Sequence, residues 1–230
     1  RNKIAALHHE NERKLFDAKI GFFTHITHEI RTPVTLILAP VEEIMRQKNI
    51  PEEIRDDLEV VKRNSERLLD LVNQILDFTK AEQEAFSSQN TWFDIDDLVE
   101  KTVQRFTPAA QQKGIQLSHD TPQPIRICTD REALTKVLSN LLTNAMKFTK
   151  DRILVSLTEN PEAHTVTISV EDNGTGIKPT EKEKIFNLFY QSANKPQLPN
   201  KGFGIGLAIV SLLVKRMMGK IEVESEENRF

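Results

Sequence analysis

The sequence is short of several features that would narrow its class, and each shortage excludes something. Of its 230 residues one is a cysteine, Cys128, so no disulfide can close within the chain, and a lone thiol fits a reducing compartment. No apolar run approaches the ~18 residues of a membrane span. No signal peptide is visible, and the chain opens inside a helical pattern, which leads us to expect a piece cut from a longer protein. The formal net charge is −3, and no basic patch with interleaved aromatics stands out, so nothing suggests a nucleic-acid surface. What is present is a soluble composition, 38% hydrophobic and 28% charged, sufficient for a core in one or two domains.

The first 82 residues read as two long helices. The first covers 3–47 and is heavily charged before residue 20; Asn49, Ile50 and Pro51 break it. Pro51 suits a helix start, with Glu52 and Glu53 where the macrodipole favours acids. The second helix carries Ile54, Leu58, Val61, Leu68, Val72 and Ile75, with Ser65 and Thr79 completing a heptad spacing. Such a hairpin cannot bury its own apolar seam. Pairing of two hairpins into a dimeric four-helix bundle is expected, against the alternative that the hairpin packs on the rest of its own chain. Residues 83–91 are polar and aperiodic, as in a linker.

From Trp92 the pattern becomes mixed α and β. Helices are expected over Ile95–Lys113, ended by Gly114 as C′, over 131–148 with Asp130 as cap, and over Gly206–Met218. Strands are expected at Ile115–His119, Ile125–Cys128, Ile153–Thr158, Thr165–Glu171 and Lys220–Glu224. Helices over one face of a mixed sheet make an α+β two-layer sandwich.

One histidine is placed for reaction. Around it the apolar positions Phe23, Ile26, Ile30, Ile37, Val41 and Ile44 share a stripe. His28 lies about 200° round the helix from both Ile26 and Ile30. It therefore stands among Thr24, Arg31, Thr32 and Thr35, with Glu29 beside it. Pro33 removes the partner of the Glu29 carbonyl and should bend the helix there. Taken alone, a polar-face histidine is more often a solvated side chain.

A second group of residues suits a nucleotide. The helix after Asp130 buries Leu134, Val137, Leu138, Leu141 and Ala145, and lines up Asn140, Asn144 and Lys147 at i, i+4 and i+7. Two amides and an ammonium can hold phosphates and a hydrated Mg²⁺, whose ligands are hard oxygens. Asp172-Asn173-Gly174-Thr175-Gly176-Ile177 closes a strand with a glycine-rich turn, where a buried Asp could accept from the exocyclic amine of adenine. Ile185-Phe186-Asn187-Leu188-Phe189-Tyr190 precedes a Pro- and Asn-containing stretch, 191–201, that reads as a lid mobile without ligand and based on Phe186 and Phe189. Gly202-Phe203-Gly204-Ile205-Gly206-Leu207 then opens a helix, where backbone amides make a phosphate site.

His28-Glu29-Ile30-Arg31-Thr32-Pro33, the 140–149 helix, the Asp172 turn, the Phe186 segment and the Gly202 turn resemble, in order, the H, N, G1, F and G2 boxes of sensor histidine kinases. The wording around His28 is most like that of hybrid sensors of Bacteroidetes. The resemblance implies a dimerisation and histidine phosphotransfer hairpin at 1–82 and an ATP-binding domain at 92–230, of the type shared with gyrase and chaperone ATPases. It implies His28 as phosphoacceptor, Glu29 as its proton partner and Thr32 as the residue that orients water for dephosphorylating a partner. It further implies ATP contacts from Asn140, Asn144, Lys147, Phe148, Asp172, Gly174, Gly176, Ile177, Tyr190, Lys201, Gly202, Gly204, Gly206 and Leu207, with Asn144 on Mg²⁺. The implied partners are a second copy and a response-regulator receiver domain, in cis or on another chain. The implied location is the cytoplasmic side of an inner-membrane sensor. Two departures stand out: 148–152 is a short connection, and the chain ends at Glu227-Asn228-Arg229-Phe230 without the family's Gly-Thr turn and further strand. Three other readings stay open: a clamp ATPase in which His28 is incidental, a vestigial pocket on a dimerisation module, and a metal site at His25 and His28.

Overall fold

The computed structural model describes residues 2–47, 49–83, 89–121, 124–192 and 202–225; of 2–20, 22–24 and 83 it describes the backbone alone. The chain divides into two compact units, 1–83 and 84–230. No helix among the described residues is long and apolar enough to cross a membrane.

The first unit is a hairpin of α1 (Asn2–Met45) and α2 (Glu52–Gln83). Helix α1 continues through Pro33 and Pro40. The expected stripe resolves into two adjacent heptad lines. Thr27, Val34 and Val41 on α1, with Ser65, Val72 and Thr79 on α2, are buried in the hairpin. Small and β-branched residues on this line let the helices approach closely, and the Thr79 hydroxyl donates to Leu76 O (2.9 Å). Ile37 and Ile44, expected in the core stripe, are instead 50% and 41% exposed. Ile54, Val61 and Leu68 on α2 stay similarly open. One hairpin has a single inner face, so the neighbouring heptad line is left without cover. Phe23's side chain lies outside the described part.

The second unit contains β1 (Asn90–Asp94), α3 (Ile95–Gln112), β2 (Gln116–Asp120), β3 (Arg126–Asp130), α4 (Arg131–Phe148), β4 (Arg152–Asn160), β5 (Thr165–Asp172) and α5 (Gly206–Arg216). Strand β4 is central: β2 runs parallel to it and β5 antiparallel. Its Ile153, Val155 and Leu157 point inward, as period-2 alternation requires. Strands β1 and β3 form a separate antiparallel pair, so the sheet layer is split in two. Helices α3 and α4 close the core over Val99, Leu138 and Leu142. Leu142 is fully buried and Leu141 lies at the margin of the stripe, one position from where the sequence suggested. Gly114 takes φ +68 directly after α3, as a C′ residue should.

Two expectations are corrected. Asn90 and Thr91, assigned to the linker, open β1 and pair with Asp130 and Thr129; Phe93 is the buried residue of β1, and pairing with β3 extends the strand back over these two exposed polar residues. Lys220–Glu224 is not a strand. Ile221 and Val223 alternate with exposed Lys220, Glu222 and Glu224, but no described segment offers them a ladder. Residues 84–88, 193–201 and 226–230 lie outside the described residues, and with them most of the linker, the lid and the chain end.

Asp130 joins elements across this unit. Its Oδ1 accepts from Ala133 N (2.9 Å), capping α4, and its other oxygen pairs with Arg216 at the end of α5; both side chains are over nine-tenths buried. Asp130→Ala removes a cap and takes the carboxylate from a buried guanidinium. The expected cost is about 4 kcal/mol, read as a shift in the denaturant midpoint of the second unit; a shift under about 1 kcal/mol would show that Arg216 finds other compensation.

Candidate functional site

The hairpin carries the candidate acceptor. His28, Glu29 and Thr32 are exposed on α1, Thr27 is buried, and Ile30 and Arg31 are half-buried. The imidazole thus faces solvent, as the 200° argument requires. Around it threonine hydroxyls bond back to carbonyls one turn earlier: Thr32 Oγ1 donates to His28 O (3.2 Å) and Thr35 Oγ1 to Arg31 O (2.9 Å). Arg31 Nη2 donates to Asn73 Oδ1 on α2 (2.8 Å), which no sequence pattern indicated. Among the described residues no group of three His, Cys, Asp or Glu side chains could hold a metal, so the metal reading at His25 and His28 gains no third ligand.

The second unit gathers the other candidates by glycine. Asn140, Asn144 and Lys147 are half-buried along one side of α4. Asn140 Nδ2 donates to Lys136 O (2.9 Å), which turns its oxygen toward the start of α5. A Cβ on Gly206 would stand 2.9 Å from that Oδ1, and one on Gly202 would stand 2.9 Å from Lys147 Nζ. The glycine-rich turn therefore lies directly against the polar face of α4. Gly204, at φ +73, has room for no side chain: a Cβ would lie 2.5 Å from Tyr190 O. Gly174 likewise sits on the Phe148 carbonyl. Phe148 is half-buried under Lys147, whose ammonium lies 5.3 Å from the ring centroid.

Asp172 departs from expectation. It is exposed, and its Oδ1 accepts from Gly174 N (2.8 Å), because a strand-end Asp beside a glycine closes its own turn. Gly176 takes φ +71 in the same loop, and Ile177 N donates to Ser225 Oγ (2.9 Å). Leu207 is half-buried in the first turn of α5. Lys201 lies outside the described residues.

Asn173 and Glu181 are two structural residues that sequence reasoning passed over. Asn173 Oδ1 accepts from Asp151 N and Arg152 N (3.2 and 3.0 Å), and its Nδ2 donates to Asp151 Oδ1 (2.7 Å). It thereby closes the short 148–152 connection; an Asn within a Gly-rich turn was the available signal. Glu181 takes Tyr190 OH on one oxygen (3.0 Å) and Ser192 Oγ on the other (3.1 Å). Partial burial, reinforced by that carboxylate, raises the Tyr190 phenol above its ordinary pKa.

These two surfaces, an exposed histidine and a glycine-lined polar helix face, correspond to separate known domains. Residues 18–84 match the His Kinase A (phospho-acceptor) domain, and 129–229 match the histidine kinase-, DNA gyrase B- and HSP90-like ATPase. The chain belongs to the histidine kinases. This histidine kinase core is 36% identical to sensor histidine kinase TmoS of Ectopseudomonas mendocina over 93% of the chain and 22% of that protein. It is 30% identical to sensor histidine kinase YcbM of Bacillus subtilis (strain 168) over 88% of the chain and 66% of that protein. It thus spans less than two thirds of either relative. Full-length ShkA in complex with AMPPNP shares its fold at TM-score 0.71 and 29% identity, over 86% of this chain and 41% of that one.

The cradle gives a direct test. Gly204→Ala forces a Cβ into the Tyr190 carbonyl at a φ that L-residues avoid. Affinity for Mg²⁺–AMPPNP by calorimetry should fall at least about tenfold, a loss of ~1.4 kcal/mol, with the circular dichroism spectrum retained; unchanged affinity would detach this turn from nucleotide binding.

Proposed function

We propose that this histidine kinase core moves the γ-phosphoryl group of ATP to His28 and then to an aspartate of a response-regulator receiver. The single observation that carries the reading is one chain bearing both a solvent-facing histidine and a glycine cradle packed on the Asn140 and Lys147 side chains. In the transfer a bond forms between an imidazole nitrogen and Pγ, the bond from Pγ to the β,γ-bridging oxygen breaks, and ADP departs. Glu29, adjacent on α1, takes or shares the proton of the other ring nitrogen and so fixes the tautomer. The remaining work is positioning and charge neutralisation.

Lys147 and the amides around Gly202, Gly204 and Gly206 suit the phosphates, with Asn140, Phe148, Gly174, Gly176, Ile177, Leu207, Tyr190 and Lys201 bordering the nucleotide. Asp172, exposed as it is, keeps a carboxylate for the adenine amine. Asn144 offers a neutral oxygen to a Mg²⁺ that keeps its waters and takes its other ligands from phosphate, where it would neutralise charge. In the clamp-ATPase alternative Asn140 stands where a catalytic acid is needed to activate water.

We assign 1–82 to dimerisation and phosphotransfer, 83–91 to a linker whose last two residues join β1, and 92–230 to nucleotide binding. The open heptad line at Ile37, Ile44, Ile54, Val61 and Leu68 supports a homodimer through the hairpin. Use of ATP and a receiver suits the cytoplasmic side of a membrane-borne sensor.

Incubation with γ-labelled ATP and Mg²⁺ should give an acid-labile label that His28→Ala abolishes while ATP binding persists; undiminished label in that variant would overturn the assignment. Thr32→Ala separates two roles for a hydroxyl that bonds the His28 carbonyl. We expect autophosphorylation within about twofold of the parent, because an exposed side-chain bond contributes little, and slower dephosphorylation of the receiver. Parallel loss of both rates would mean that Thr32 only shapes the helix.

A further inference from the structure

Cations cross the hairpin in more than one way: Lys62 on α2 lies 3.7 Å from Glu42 on α1, and Arg55 on α2 donates to the Met45 carbonyl at 3.4 Å. Arg31, three residues after His28, instead donates to an amide, Asn73 Oδ1, at 2.8 Å, across 42 residues of sequence. Residues at i and i+3 are surface neighbours on a helix, with Cβ atoms about 5–6 Å apart. Arg31 is half-buried and His28 exposed, and the guanidinium reaches α2 from the helical turn that carries His28.

An amide and a carboxylate hold a guanidinium with different consequences. Both accept its N–H, but a carboxylate also cancels its charge and an amide does not. Carboxylates are close at hand: Asp70 and Asp77 lie one turn to either side of Asn73 on α2. The phosphoryl group that arrives on His28 brings up to about two negative charges.

We propose that Asn73 is a positioning residue: it fixes Arg31 one helical neighbour from His28 with its charge intact, as the counter-charge for the phosphoryl group on His28. This rests on His28 being the acceptor. The neutral tether holds the cation ready before transfer, so no side-chain reorganisation is needed when charge develops.

The test uses the full chain. Acid-labile label on parental His28 is established first; its absence would refute the acceptor assignment and leaves Asn73 out of the result. Asn73→Asp and Asn73→Ala are then compared by kcat and KM for ATP, by melting temperature, and by the fraction of label surviving added ADP. Asn73→Asp keeps the bond and adds an ion pair, so the melting temperature should hold or rise. Its kcat should nonetheless fall about fivefold, the effect of a screened charge at this distance, with KM unchanged and more label returned to ADP. Asn73→Ala should lose a similar factor. In an Arg31→Ala background, Asn73→Asp should change kcat by less than twofold, as coupled residues require. Parental kcat in Asn73→Asp, or a full further loss in the Arg31→Ala background, would overturn the proposal, since a tether that only stabilises the hairpin predicts the first and an independent role predicts the second.

Discussion

The buried carboxylate of Asp130 serves two helices at once, and the nucleotide-binding unit is arranged around that fact. One oxygen satisfies an amide at the start of α4, and the other holds Arg216 at the end of α5. A buried ion pair is rarely a large net source of stability, because both partners lose water. Its consequence here is geometric. Helices α4 and α5 lie in contact over Asn140 and Gly206, and the pair fixes the far end of that contact. The polar face of one helix is thereby held in register with the glycine turn that opens the other.

Glycine supplies the complementary constraint. At Gly174, Gly202, Gly204 and Gly206 the neighbouring groups are a carbonyl, an ammonium, a backbone turn and an amide. Each close approach brings a polar group of one segment to the backbone of another, with no Cβ between.

Much of this was legible because it depends on local rules. Heptad spacing marks the hairpin, Asp130 and Gly114 mark the ends of helices, and the i, i+4, i+7 amides and ammonium mark the face of α4. What was illegible depends on partners distant in sequence. Asn90 and Thr91 carry no strand pattern and join β1 through β3; Lys220–Glu224 has the pattern and lacks a ladder. Arg31 with Asn73 and Asp130 with Arg216 are joined by packing across 42 and 86 residues. Asp172 was expected to be buried as an acceptor for the adenine amine, yet its own next-but-one amide captures it at the surface.

The open heptad line on the hairpin has a thermodynamic consequence. If a second copy covers the five apolar side chains that the hairpin leaves open, the folded state of these helices becomes a function of protein concentration, as for any chain stabilised by its own association. The second unit encloses its own core and carries no such dependence from that source. Dilution would then act as a selective denaturant: it would loosen the helix that bears His28 and spare the fold that would hold ATP.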